Sequence, residues 1–319
     1  MRYFFTLAAL SLTLLSVDCS FAQNRELAFL RQSSPSLPLQ PGSFAASQTG
    51  RMNEGPESEF ESEFEISETE SPFDEPIETD RHDFTQSPKV VGCGVKQLEY
   101  GVFYATLLDG TERETTYATP ELVLRCGLSD STEFRVRFNY GWKYNNEEED
   151  IQGSEDLIFG IKYQLSEHSN WKPASAVELR LSAPTGADDL STGRWEPGID
   201  FIYGWEFGEK YSFTGSTGGN ANALGDIGYI TVDTDPNDHF IAWTQSFALG
   251  AGLTKRSTGY FEWYGVFTHG RDDDNSLSFV NLGLDYLISN NVVIDFRVGW
   301  GLTRASDDVF AGIGGAFRF

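Results

Sequence analysis

Glu133, Arg135 and Arg137 alternate with Phe134, Val136 and Phe138, so in an extended segment one face carries only charge and the other only hydrocarbon. The same two-residue rhythm sets Glu178 beside Arg180, Asp295 beside Arg297, and Glu121 four residues before Arg125. Ionic groups at this spacing do not assemble a nucleophile with its base. They make rows of fixed charge that either pair across neighbouring strands and brace an interior, or line a path that orders a polar or amphiphilic solute. Taking the polar partners of every apolar face gives an inward set of Glu99, Glu121, Arg125, Glu133, Arg135, Arg137, Lys162, Glu178, Arg180, Asp200, Glu206, Glu262, Asp285, Asp295 and Arg297.

Other chemistries find less support. His168, His239 and His269 fall in turns, loops or strand ends, and no Gly-x-Ser-x-Gly element places a nucleophile near any of them, so enzymatic activity is not expected. The acidic runs Glu147 to Asp150, Asp188-Asp189 and Asp272 to Asp274 lack the central Gly and terminal Glu of a calcium loop, so they read as solvated loops; no metal or cofactor is expected. A formal net charge of -25 without a basic patch argues against nucleic-acid binding.

The elements that must position the charged rows are strands. The amino end carries Arg2, an apolar run from Phe4 to Val17 and the small-residue pattern Ser20-Phe21-Ala22, which together read as a secretory signal over residues 1–22. Residues 23–90 are polar and increasingly acidic, with Ser58-Glu59-Phe60-Glu61 repeated at Ser62-Glu63-Phe64-Glu65, and are expected to form a disordered periplasmic leader. Residues 91–319 are rich in Gly and aromatics and cut by frequent turn signals. Twelve strands are expected there, with ten or fourteen as alternatives: Val95 to Leu107, a second ending in Glu121 to Arg125, Glu133 to Tyr140, Leu157 to Leu165, Ala176 to Ser182, Ile199 to Phe207, Tyr211 to Gly219, Phe240 to Gly252, Gly259 to Thr268, Ser278 to Leu287, Val292 to Leu302, and Asp307 to Phe319. Short links such as Gly208 to Lys210 alternate with long acidic ones such as Asn220 to His239, as in an outer-membrane barrel.

The fold class expected is therefore all-β: a transmembrane antiparallel up-and-down β-barrel in the outer membrane of a Gram-negative-type bacterium, with its apolar face on lipid and its polar face on the lumen. Trp142 and Trp300 are placed near the outer interface, and Trp205, Phe207, Tyr211 and Phe319 near the inner one. Phe319, ending a strand whose face is Val309, Ala311, Ile313, Gly315 and Phe317, is expected to be the signal read by the barrel assembly machinery.

Asp80-Arg81-x-Asp83-Phe84-Thr85-x-Ser87-Pro88, followed by Gln97-Leu98-Glu99-x-Gly101, resembles the entry segment of the barrel family of transporters for the phenol-degradation meta pathway. Glu121 to Arg125 with Gly127-Leu128-Ser129-Asp130, then Pro197-Gly198 and Gly301-Leu302, resemble that family's later blocks, while His82 stands where it usually has Pro and Gln86 where it often has an acid. The resemblance runs from about Thr79 to Phe319 and implies an outer-membrane channel or transporter for small, hydrophobic or aromatic solutes. A structural or adhesive barrel without a conducting pore is the alternative.

Two finer expectations follow from the residues. Asp80, Arg81 and Asp83 lie just before the first strand and carry both signs, so they can fold into the lumen and act as a plug or gate; a plain linker is the competing reading. If Asp109-Gly110 is a two-residue turn, direct pairing sets Cys93 opposite Cys126 and suggests a disulfide, but Leu98 and Leu122 then cannot both face lipid unless a bulge lies near Pro120.

Overall fold

A computed structural model describes residues 71–81, 84–146, 149–221, 240–270 and 276–319. The signal and most of the acidic leader, Asp83, His239, and the acids at 147–148 and 272–274 lie outside the described residues. The compact unit holding the described chain runs from Pro72 to Phe319.

The strands are β1 (Lys96–Asp109), β2 (Glu112–Ser129), β3 (Thr132–Asn145), β4 (Ile151–Ser154), β5 (Leu157–Ser166), β6 (Ala174–Ala183), β7 (Glu196–Phe207), β8 (Tyr211–Ala221), β9 (Ile241–Gly252), β10 (Ser257–His269), β11 (Ser276–Ser289), β12 (Val292–Gly301) and β13 (Val309–Arg318). Each pairs antiparallel with its chain neighbours, except that β4 and β5 both pair with β3 and so form one stave. Pairing of β1 with β13, from Gln97 opposite Arg318 to Thr106 opposite Val309, closes the ring. The result is a closed antiparallel barrel of twelve staves. Every expected strand is present; β4 adds a short strand between those expected at Glu133 to Tyr140 and Leu157 to Leu165.

Closure pairs both edges of each strand but β4, which pairs with β3 alone, and the alternation then sorts side chains by face. Ile161, Tyr163, Leu179, Ile199, Phe201, Trp243, Leu249, Leu282, Ile294, Phe296 and Ile313 are exposed on the outside. So continuous an apolar surface suits hydrocarbon and not water. Outward rings run from Tyr203 through Trp205, Phe213 and Phe247 to Trp263, with centroids 5.8–6.0 Å apart. Phe207 and Tyr211 flank the short β7–β8 turn, and Trp300 stands next to the far end of β12, as girdle positions require.

One hairpin departs from the expected register. Asp109 pairs with Glu112, so the turn residues are Gly110 and Thr111, and Gly110 supplies the positive φ of 64°. The register then slips between Gly101 and Phe103 on β1, opposite Thr119-Pro120 on β2, where the prolyl nitrogen has no proton to donate. Thr116 and Ala118 are buried before the slip, and Glu121, Val123 and Arg125 after it, so the inward phase changes from even to odd. This brings Leu98 opposite Leu124 and Tyr100 opposite Leu122. It also corrects the suggested disulfide: Cys126 lies opposite Lys96, not Cys93, and is a free, buried thiol. Alkylation under denaturing, non-reducing conditions is expected to label Cys126, and mass spectrometry to find no peptide linking it to Cys93.

Candidate functional site: the occupied lumen

Strand register explains where the lumenal charges sit. Glu133 pairs with Lys162, Lys162 with Glu178, and Glu178 with Asp200, a row running from β3 to β7. In the row alongside, Arg125 pairs with Arg135, Arg135 with Gly160, and Gly160 with Arg180. Two mostly like-signed rows would each repel internally. Stacked, they neutralise one another: Arg125 Nη2 donates to Glu133 at 2.9 Å, Arg135 Nη1 to Glu178 at 2.7 Å, and Arg180 Nη2 meets Asp200 at 2.7 Å. The missing side chain at Gly160 makes room, since a methyl there would crowd the Glu178 carboxylate.

Thirteen of the fifteen residues assigned to the inner face are buried: Glu99, Glu121, Arg125, Glu133, Arg135, Arg137, Lys162, Glu178, Arg180, Asp200, Glu262, Asp295 and Arg297. Glu206 and Asp285 are more open and line a cavity of about 470 Å³ at the short-turn end. His168 borders this cavity, and among the described residues no cluster of metal-ligating side chains forms.

The walls are covered by the chain's own segment before β1. Within the stretch Pro72 to Val90, assigned from sequence to the disordered leader, Asp80, Arg81, Phe84, Thr85 and Gln86 are buried inside the barrel. The reason is charge. Asp80 Oδ2 accepts hydrogen bonds from Arg135 Nη2 and Lys162 Nζ, both at 2.8 Å, and lies 3.4 Å from Arg125 Nη1. Its Oδ1 accepts from the backbone N–H of Ser87 at 2.8 Å, folding the segment back on itself. Arg81 Nη1 donates to Glu121 at 2.8 Å and Nη2 to Asp295. The amides of Asp80 and Arg81 donate to Glu99 at 3.0 and 2.6 Å, and those of Phe84 and Thr85 donate to Glu262. Gln86, at a position where the resemblance leads one to expect an acid, accepts from Arg135 Nη1 at 2.6 Å. Asp80 and Arg81 thus grip β1, β2, β3, β5 and β12 together.

Beyond the charged rows lies an apolar layer that the two-face reading of the strands missed. Phe84 stacks on Tyr264 with centroids 4.3 Å apart, and Phe103, Phe279 and Phe310 surround it. The Arg297 guanidinium stands 5.3 Å from the Phe84 centroid and 5.2 Å from that of Phe103, in cation–π range. Parity could have found part of this layer: Phe103 shares the face of Glu99 and Gly101, and Phe310 that of Gly312 and Gly314.

At the short-turn end the segment leaves by a looser contact. Lys89 Nζ donates to Glu78 at 2.9 Å and lies 3.3 Å from Glu206. Glu78 pushes the Lys89 ammonium well above its ordinary range; burial opposes charge on Glu78, but Lys89 holds its carboxyl below the usual value. Gly92 and Gly94, with φ of 81° and 77°, then turn the chain into β1.

In the loop between β12 and β13, burial and then the Glu114 charge push Asp307 up to about 6. A carboxyl raised in the folded state holds its proton there when the unfolded chain has lost it, so its contribution to stability falls as pH rises from about 4 to 6. Asp307→Asn is expected to match the parent in thermal midpoint at pH 4 and exceed it at pH 7.

No curated protein matches the sequence. Among solved structures, an outer membrane channel from Pseudomonas putida F1 is similar at 14% identity and a TM-score of 0.55, over 76% of this chain and 100% of that one. The translocator domain of the autotransporter NalP from Neisseria meningitidis is similar at 11% identity and a TM-score of 0.48, over 72% of this chain and 89% of that one. The first likeness bears on fold alone and agrees with the barrel described above. A family model described as "Putative MetA-pathway of phenol degradation" matches residues 79–319, a span that takes in both the lumenal Asp80-Arg81 pair and all of the strands. The chain belongs to that family.

Proposed function

We propose that this protein is an outer-membrane channel for small solutes, held shut by its own segment from Thr79 to Pro88. The observation that carries the reading is the grip of Asp80 and Arg81 on five strands inside a closed, lipid-suited barrel. A segment joined to β1 through the turn at Gly92 and Gly94 can leave its seat without breaking a strand-to-strand hydrogen bond. The wall charges it covers would then face an aqueous lumen. The solved relative from Pseudomonas putida F1 is itself named an outer membrane channel, which supports the same role for this chain.

The solutes proposed are small and hydrophobic or aromatic. Phe103, Tyr264, Phe279 and Phe310, uncovered by withdrawal of Phe84, offer stacking surfaces of the right kind beside a cation at Arg297. The partners proposed are outer-membrane lipid, the barrel assembly machinery and the solute. A sealed structural or adhesive barrel is a second reading, favoured by the near-complete pairing of the described lumenal charges.

Planar-bilayer recording separates the two. Deletion of Thr79 to Pro88 is expected to convert a nearly silent barrel into one with steady conductance, and liposomes carrying the deletion to admit phenolic acids faster than sugars of equal size. A deletion that folds and remains silent would favour the sealed barrel.

A further inference from the structure

We infer that Arg81 is a clasp across the closing seam of the barrel, holding first strand to last from the inside. The β1–β13 joint differs in kind from the others, because it joins the first strand to the last and no turn connects the two. At its middle Gly101 stands directly opposite Gly314. A methyl group on either would overlap the Arg81 guanidinium, so the side chain lies against bare backbone over the joint itself. Its two arms end beyond the seam on each side, Nη1 on Glu121 of β2 at 2.8 Å and Nη2 on Asp295 of β12. The Arg81 backbone amide adds a bond to Glu99 of β1 at 2.6 Å. One residue therefore ties the strands that flank the joint to each other and to the joint.

The rim carries a second set of ties in the same place. The Ile77 amide donates to the Asn290 carbonyl at 2.8 Å, Arg318 donates to the Glu75 carbonyl, and the Phe73 ring lies 5.7 Å from the Arg318 guanidinium. The segment thus reaches the β11–β12 turn and the end of β13 before entering the lumen. Beside the glycine pair the inward residues of β13 are small, Gly312 and Ala316, and packing across the joint begins only further along it, where Phe103 and Phe310 lie with centroids 6.0 Å apart, so the clasp serves the stretch that this packing does not reach. The planar, bidentate guanidinium suits this seat and an ammonium does not. The inference concerns barrel closure and stands whether or not the lumen conducts.

Hydrogen exchange measured by mass spectrometry on the full chain in detergent micelles tests it with Arg81→Ala and Arg81→Lys. Amides in Gln97 to Thr106 and Val309 to Arg318 are expected to exchange at least about tenfold faster in Arg81→Ala, with β9 and β10 unchanged and Arg81→Lys between the two. If the alanine variant fails to fold, the lysine variant, which keeps the charge and reaches one carboxylate, carries the same comparison. Exchange that is unchanged, or faster uniformly around the barrel, overturns the clasp. Conductance recorded in parallel keeps the two ideas apart: a variant that conducts over an undisturbed seam upholds the gate and overturns the clasp, while a loosened seam in a silent barrel does the reverse.

Discussion

Asp80→Ala is expected to open the lumen of a folded barrel. The Asp80 carboxylate is fully buried and lies among Arg125, Arg135 and Lys162. Arg125 and Arg135 are also direct neighbours across the β2–β3 ladder, where like charges repel. Removing the acid leaves these cations facing an uncharged side chain at position 80, and breaking a buried pair in this way costs about 3–5 kcal/mol. The cheapest relief is for the segment to withdraw and water to enter, since the strand-to-strand hydrogen bonds are made by the strands' own residues. A cost of that size shifts the seated-to-withdrawn ratio by roughly two to three and a half powers of ten. Single-channel recording should therefore show open probability rising from rare flickers to a large fraction of the time, while heat-modifiable migration stays that of a folded barrel. Asp80→Asn, which keeps shape and loses charge, should follow it. A silent Asp80→Ala variant with normal migration would mean that the acid does not hold the lumen shut.

Removal of Phe319 is expected to impair assembly more than removal of any outer loop. The Phe319 amide donates to the Lys96 carbonyl at 2.9 Å and its carbonyl accepts from the Lys96 amide at 3.0 Å, so the residue makes the last rung of the closing ladder. Its ring stacks on Phe317 with centroids 5.7 Å apart on the lipid side, and both rings are exposed to the apolar phase. Loss of the rung lets the seam begin to fray at an end where lipid offers no hydrogen bond in exchange. The expected result is severalfold less folded, heat-modifiable protein in membranes at equal synthesis. Phe319→Tyr, which retains ring and backbone, should assemble normally. A truncation that assembles like the parent would count against Phe319 as the assembly signal.

Much of this architecture can be read from period-two alternation. Glu133, Arg135 and Arg137 announce both the strand and its inner face, and the same rule finds the other walls because each outward residue meets one uniform solvent. The rule weakens where the interior is not uniform. Phe103 and Phe310 point inward because Phe84 arrives there from another part of the chain, and no local pattern encodes that arrival. The mixed signs of Asp80 and Arg81 suggest docking, but their seat exists only once β1, β2, β3, β5 and β12 are side by side. The Gly101–Gly314 opposition likewise belongs to register, being formed by residues at opposite ends of the barrel sequence. Cys126 lies opposite Lys96 for a related reason: a turn shifted by one residue and an added residue at Thr119-Pro120 move every later partner on β2.

The unequal depth of the segment's two attachments has a consequence for ionic strength. Lys89 and Glu78 are each 43% exposed, within reach of mobile ions that screen charge over about 8–10 Å at ordinary salt. Asp80 and Arg81 sit where such ions do not penetrate. Added salt should therefore loosen the Lys89 end of the segment and leave its centre seated, so that osmotic and ionic changes outside the membrane alter how readily the segment begins to peel away without themselves emptying the barrel.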